Sequence, residues 1–542
     1  MSRRCVLRLA LLPALAAAGC AHSREFRCPA EGGPPWIELE SAHFRIVTDA
    51  QADVARRLAA EYEQVRQAML AGAWEARFDP PGRLEVVVLR NPDELGEFTG
   101  AGWLWPWPVF TFVAGYFQPW ERPRIVTGLA HDRDAPSLVL PPFRADIEAA
   151  AQAAESLVLR HELAHYLAFH VLVRQPRWLG EGLATYLETT VVGTYQGKPA
   201  AAVGLPPQQH PRSFGAEPVS AGKLLRGEAL DYLWSGLFVH WLVNQHASQF
   251  ADFQQRLARA DEPLAAWKAA FPQFDPADAV AMEALDRALA DYLKAGRFTV
   301  RRVMLAPVAI PGRERTLAPA EVHALRSELY VTALVDRIER ARAELAESLR
   351  EDPSGSAALL PLFFLRPGDE LLDLGRKTAM DRPGDWRGGL LVALGASDRA
   401  DLAAERLAGL RDVARAMPDD AFALNAAAWE LLQLGASGEA LPLAARAAAL
   451  APWSVAVLDT YGAVLADLGR CREALSAQHR AVALLGLREG AGGREDGKPG
   501  EAANPEPRRA GPGRLRDVAA EVRRHLEEIE AGCHPEQPPT PG

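Results

Sequence analysis

The stretch His161-Glu162-Leu163-Ala164-His165, followed by Trp178-Leu179-Gly180-Glu181-Gly182-Leu183-Ala184, constrains this chain more than any other. It lies in a run from Phe143 to Leu172 that is rich in Ala and Leu and reads as one long, largely buried helix. Residues four apart share a helix face, so both imidazoles can meet one metal ion. Buried histidines need partners, and a metal is a good one. Glu162 is one step round the helix, where it reaches a water beside the metal rather than the metal. A catalytic zinc takes three protein ligands and keeps one position open. Glu181, sixteen positions after His165 and past a break at Pro176, supplies the third. The bland reading is a surface helix that carries two histidines by coincidence.

The start of the chain bears on compartment. Arg3 and Arg4 precede an apolar run from Val6 to Ala18, too short to span a bilayer as a mature helix. The run ends in Ala17-Ala18-Gly19-Cys20, which is similar to a bacterial lipobox, although Ala17 stands where Leu is usual. That resemblance implies lipid on Cys20. With Ala21 next, it also implies the outer membrane, facing the periplasm. An ordinary secretory signal cleaved near Ala18 is the alternative. No other segment is long and apolar enough to cross a membrane.

The metal motif resembles that of the gluzincin metallopeptidases, in particular the peptidase-MA-like domains of bacterial envelope proteins. The resemblance implies His161, His165 and Glu181 as zinc ligands and Glu162 as general base. It puts Thr185, four residues past Glu181, where some relatives orient a ligand histidine. Trp36 to Asp49 looks like the opening strand of such domains, and the likeness runs to about Phe298. It further implies an edge strand that pairs with the extended substrate, for which Pro123 to Gly128 is the candidate. Relatives often carry a Tyr on the helix after the glutamate ligand. Here the run from about Glu228 to Asn244 offers Tyr232 and His240 as oxyanion donors, with Tyr232 preferred.

The 542 residues are enough for two to four domains, and the net charge is −10. No block of Lys or Arg interleaved with aromatics occurs, which excludes nucleic acid as the expected partner. Beyond Cys5 and Cys20, only Cys28, Cys471 and Cys533 remain, an odd number that reads as no disulfide framework. None is close in sequence to the His/Glu motif, so the zinc is expected to be held by nitrogen and oxygen. In the first half, Ile37 to Thr48 and Leu84 to Leu89 read as strands and Gln51 to Leu70 as a helix. An aromatic stretch follows, from Trp103 to Trp120, expected as strand-and-loop core, with lining of a substrate cleft or contact with the membrane as the alternatives. Specificity is expected there and in the loop from Val192 to Ala221.

The second half changes character. Prolines at 353, 383, 418 and 452 are spaced by 30, 35 and 34 residues, each closing a helix-like segment. Leu434-Gly435 recurs as Leu468-Gly469, and Ala440-Leu441 as Ala474-Leu475. This period looks like the tetratricopeptide repeat, whose helix pairs stack into a solenoid. Two good repeats cover about 419 to 486, with degenerate ones before them from Pro319. A Gly-, Pro- and Arg-rich stretch follows, expected to be disordered, then an amphipathic helix from Leu515 to Ile529 that caps the solenoid.

The expected architecture is thus an α+β zincin-like metallopeptidase domain followed by an all-α tetratricopeptide-like solenoid. Its parts are a lipoprotein signal (1–19), a tether (20–35), the metallopeptidase domain (36–300), a linker (301–318) and helical repeats (319–486). A disordered linker (487–513) and a capping helix with its tail (514–542) complete it. The expected function is zinc-dependent hydrolysis of a protein or peptide in the bacterial envelope, with the repeats recruiting substrate or a protein partner. The alternative is an envelope scaffold or assembly lipoprotein that acts through its repeats and carries a vestigial or structural zinc site.

Overall fold

The computed structural model describes residues 26–74, 78–91, 94–99, 115–118, 122–128, 144–205, 218–308, 312–333, 337–491 and 518–533. The signal segment with Cys20, the aromatic run through Phe112, Trp120, residues 206–217, residues 492–517 and the tail after Cys533 lie outside the described residues.

The first half is an α/β region. Strands β1 (Ile37–Glu40) and β2 (Phe44–Thr48) form a hairpin, and α1 (Ala52–Trp74) crosses over to β3 (Leu84–Leu89), parallel to β2. A short α2 (Leu95–Thr99) leads to β4 (Gly115–Gln118) and β5 (Arg124–Gly128). The mixed sheet has the order β4-β5-β3-β2-β1-β9, with β9 at Glu314–Thr316. After β5 in sequence come α3 (Arg144–Val171) and α4 (Arg177–Glu188), then β6 (Val191–Tyr195) and β7 (Lys198–Val203). Helices α5 (Ala221–Leu225), α6 (Tyr232–Gln245), α7 (Ala247–Ala258), α8 (Pro263–Ala270) and α9 (Ala279–Ala295) follow. Strand β8 (Arg301–Met304) closes a second, antiparallel sheet of order β6-β7-β8. Residues 301–318, expected as a linker, therefore carry one strand of each sheet. The expected strand from Pro123 to Gly128 is present as β5 (Arg124–Gly128), but it is interior; among the described residues the edge on that side is β4.

The main sheet is covered on both faces, which is why β3 is buried throughout. One set of alternating residues (Phe44, Ile46, Val86, Val88, Ile125) joins the core shared with α1 and α3. The other set (Val47, Val87, Val126) packs with Val322, Leu325 and Leu329 of α10 (Pro319–Val331). That second face also carries a row of charges. Arg315 and Arg45 both donate to Glu38, Arg45 donates to Glu85 at 2.6 Å, and Arg124 bonds Glu85 as well. Arg124 then reaches Glu328 on α10 at 2.8 Å; Arg122 bonds Glu328 at 2.8 Å and also Asp420. Burial works against the Glu85 carboxylate, but Arg124 and Arg45 hold it ionised, with its pKa down to about 2.

The C-terminal half is largely helical. After α10 come α11 (Ile338–Glu351), α12 (Leu359–Leu365), α13 (Gly368–Asp381), α14 (Trp386–Gly395) and α15 (Ala403–Ala416). Two helix pairs then repeat with a 34-residue offset: α16 (Ala421–Gln433) with α17 (Ser437–Leu450), and α18 (Val455–Asp467) with α19 (Cys471–Ala491). Gly435 and Gly469 end the first helix of each pair with φ of 70° and 72°, which only glycine adopts without strain. Ala440 and Ala474 are fully buried where the paired helices meet. The last helix, α20 (Val518–Gly532), packs on α18 and α19 through Val522 and Ile529. Cys471 and Cys533 form a disulfide that ties its end to α19, leaving Cys28 as the buried free thiol among the described residues. The odd cysteine count thus hid a real bridge.

This half is docked on the first. Trp453, between α17 and α18, packs edge-on against Tyr166, Phe169 and His170 of α3. Val173, in the turn between α3 and α4, shares a cluster with Val455, Leu458, Ala481, Leu484 and Leu485.

Candidate metal centre

The site is built from two helices held at close range. On α3, Leu159, Leu163 and Leu167 enter the core below, leaving His161 and His165 on a face that meets α4. Trp178 anchors α4: its ring stacks on Phe238 of α6 at 4.8 Å and meets Trp267 of α8 edge-on at 6.0 Å. Close approach of α4 to α6 depends on glycine. A Cβ at Gly182 would sit 2.6 Å from the Ser235 carbonyl oxygen, and one at Gly236 would sit 2.5 Å from the Thr185 methyl.

This packing brings three expected residues together. His161 Nε2 lies 3.2 Å from His165 Nε2 and 3.2 Å from Glu181 Oε2, and His165 Nε2 lies 3.5 Å from the same oxygen. Zinc bonds of 2.0–2.1 Å in a tetrahedral arrangement place ligand atoms about 3.3 Å apart. The triangle therefore has the right size for such an ion, and its two nitrogens and one oxygen suit it chemically. His161 is nearly closed off, whereas Glu181 keeps 21% of its side chain exposed, so the cluster opens to one side.

Within the cluster, His161 and the carboxylates around it stabilise one another's charges. Burial opposes a proton on His161, but hydrogen bonding to Glu181 and Glu188, with the charge of Glu162, raises its pKa to about 10. Glu181, although burial disfavours its charge, is held well below the ordinary carboxylate range by His161 and His165. His170, further along α3, takes no part. Burial, with Arg66 and Arg480, lowers its pKa to about 3, and its ring lies against Trp453.

The remaining expectations divide. Tyr232, first residue of α6, lies beside the cluster with its ring 6.0 Å from that of His161, and it is exposed. His240 is not at the site: it is buried between the Tyr292 hydroxyl and the Gly204 carbonyl. Thr185 does not orient a ligand histidine, because its side chain packs toward Gly236 and its hydroxyl has no hydrogen-bond partner. Glu188 does so instead, accepting from His161 Nδ1 at 2.7 Å with no exposed surface. Sequence reading passed over it. The signal was there in a carboxylate at the end of the apolar segment Leu183-Ala184-Thr185-Tyr186-Leu187-Glu188.

Fold and site together define an α+β chain with a helical C-terminal half and a His161–His165–Glu181 cluster that can hold a metal ion. Comparison with known protein families finds no match, and no curated protein is significantly similar to the chain.

Proposed function

We propose that this protein is a zinc-dependent peptidase of the gluzincin type that acts on a protein or peptide in the bacterial envelope. The observation that carries the reading is the His161–His165–Glu181 triangle, sized for zinc, with Glu162 near enough for its charge to act on His161 and Glu188 behind it. Structural zinc sites are closed by four protein ligands; this cluster has three among the described residues. That favours catalysis over the scaffold reading.

Bound there, zinc would lower the pKa of water and polarise a carbonyl oxygen. Glu162 takes the proton of the attacking water and returns it to the leaving amine. The Tyr232 hydroxyl donates to the oxyanion. The peptide lies extended along β4, the outermost strand on that side of the main sheet. The 34-residue helix pairs are read as tetratricopeptide-like repeats that bind a protein partner or substrate. The Cys471–Cys533 bridge suits an oxidising compartment such as the periplasm, in keeping with lipid on Cys20.

The test is zinc content of the purified chain, with His161→Ala and Glu162→Gln variants. One zinc per chain is expected, lost in His161→Ala and kept in Glu162→Gln, with peptide hydrolysis lost in both. Well-folded protein without zinc would sink the reading; a zinc-replete Glu162→Gln enzyme of normal rate would remove Glu162 as base.

A further inference from the structure

We infer that the anchored protein presents its metal cleft away from the bilayer, so that substrate reaches it from the aqueous compartment and not from the membrane. The inference rests on the proposed lipid at Cys20. Five residues separate Cys20 from Phe26, the first described residue, and the six Cα–Cα steps span about 20 Å even fully extended. Phe26 is fastened to the body: the Arg326 guanidinium stacks over its ring at 3.7 Å, and its ring meets that of His323 edge-on. Both partners are on α10 and are tied in turn to Glu344 of α11. The leash therefore leaves the body on the α10–α11 side of the main sheet.

The metal cluster is on the other side. Its helix α3 packs in the core on the opposite face of the same sheet. Two layer spacings, roughly 20 Å in all, thus separate α3 from α10. Reaching the α3 face means going round the edge of a six-stranded sheet about 25 Å wide, a path longer than the leash, so the α10–α11 side lies toward the lipid surface and the cleft lies beyond the sheet from it. The α11 surface carries Glu339, Glu347 and Glu351 against Arg340, Arg342 and Arg350, with no excess of either sign. It should rest near headgroups without inserting or binding them on its own.

The test uses full-length acylated protein in phosphatidylethanolamine–phosphatidylglycerol vesicles that carry a nickel-chelating lipid. A nitroxide is placed at Arg342→Cys on α11 or at Val280→Cys, an exposed position at the start of α9. Strong relaxation by headgroup nickel at position 342 and none at 280 is expected, with no vesicle binding by a soluble chain starting at Ala21. Equal relaxation at both positions, or stronger at 280, would overturn the orientation. Mass spectrometry showing Cys20 without acyl chains would also overturn it, while leaving the metal site to stand or fall on its own zinc measurement.

Discussion

His161 donates from Nδ1 to Glu188 across 2.7 Å, in a place where Glu188 has no contact with solvent. A carboxylate in that position fixes the ring and leaves Nε2 pointing at the cluster. Loss of such a partner typically weakens metal binding 10- to 100-fold. Glu188→Gln keeps an acceptor oxygen and should lose less than Glu188→Leu. Competition against a chromophoric chelator would give the order; a Leu variant that binds zinc like wild type would show that Glu188 only fills space.

Trp453 packs the repeat pairs against α3, 4% exposed and set against three rings of that helix. Trp453→Ala should cost about 3–5 kcal/mol, as expected for emptying a buried indole. Urea unfolding measures the loss, and hydrogen exchange should show it concentrated in α3. Weakened protection confined to α17 and α18 would mean that the contact does not support α3.

The bridge between Cys471 and Cys533 has a sequence separation of 62 residues. Closing a loop of that length is worth about 4 kcal/mol in the chain-entropy picture. A Cys533→Ser chain should release α20 at lower denaturant than the oxidised protein, while the His161–His165–Glu181 cluster, far along the chain, should keep its affinity for added zinc. Simultaneous loss of both would show that α20 is part of the same cooperative unit.

Without the bridge, α20 depends on His525, whose Nδ1 lies 2.8 Å from Asp459 Oδ2 on α18. Hydrogen bonding to Asp459 outweighs burial and raises the pKa of His525 above its ordinary value. A raised histidine stabilises most below its unfolded value, and that contribution disappears as pH climbs through the folded value. In Cys533→Ser, exchange protection of α20 should therefore fall from pH 6 to pH 9. A flat profile would mean that the ring stays neutral in the folded chain.

Glu328 lies between Arg122 and Arg124 at 2.8 Å from each, and is 5% exposed. Glu328→Ala leaves buried Arg124 with Glu85 alone and half-buried Arg122 with Asp420 alone, and should cost about 3 kcal/mol. Thermal melting provides the readout; a loss under 1 kcal/mol would indicate that water replaces the carboxylate.

The grouping of His161, His165 and Glu181 was legible because helical spacing and ligand chemistry leave few alternatives for two histidines four apart. The helix pairs at 421–450 and 455–491 were legible because glycine and alanine repeat where turns and close packing need them. The edge strand was misplaced because four residues at 115–118 carry too little pattern, and β8 and β9 are as short. Glu38, Arg45 and Glu85 alternate with apolar residues like a strand with one wet face, yet α10 covers that face. Only Arg124, which bonds Glu85 and also reaches Glu328 at a sequence separation of 204 residues, makes the alternation intelligible. The disulfide was hidden because its two halves are distant in sequence and a third cysteine made the count odd.

The charge row has one more implication, for ancestry. Its members come from β9, β1, β2, β3, β5, α10 and Asp420 just ahead of α16, so neither half completes it alone. A stretch of chain that satisfies its neighbour's buried charges cannot be exchanged for an unrelated one without a cluster of matching changes. The two halves are therefore expected to be inherited as a pair, and relatives that keep the His161–His165–Glu181 pattern should keep the α10 carboxylate with it.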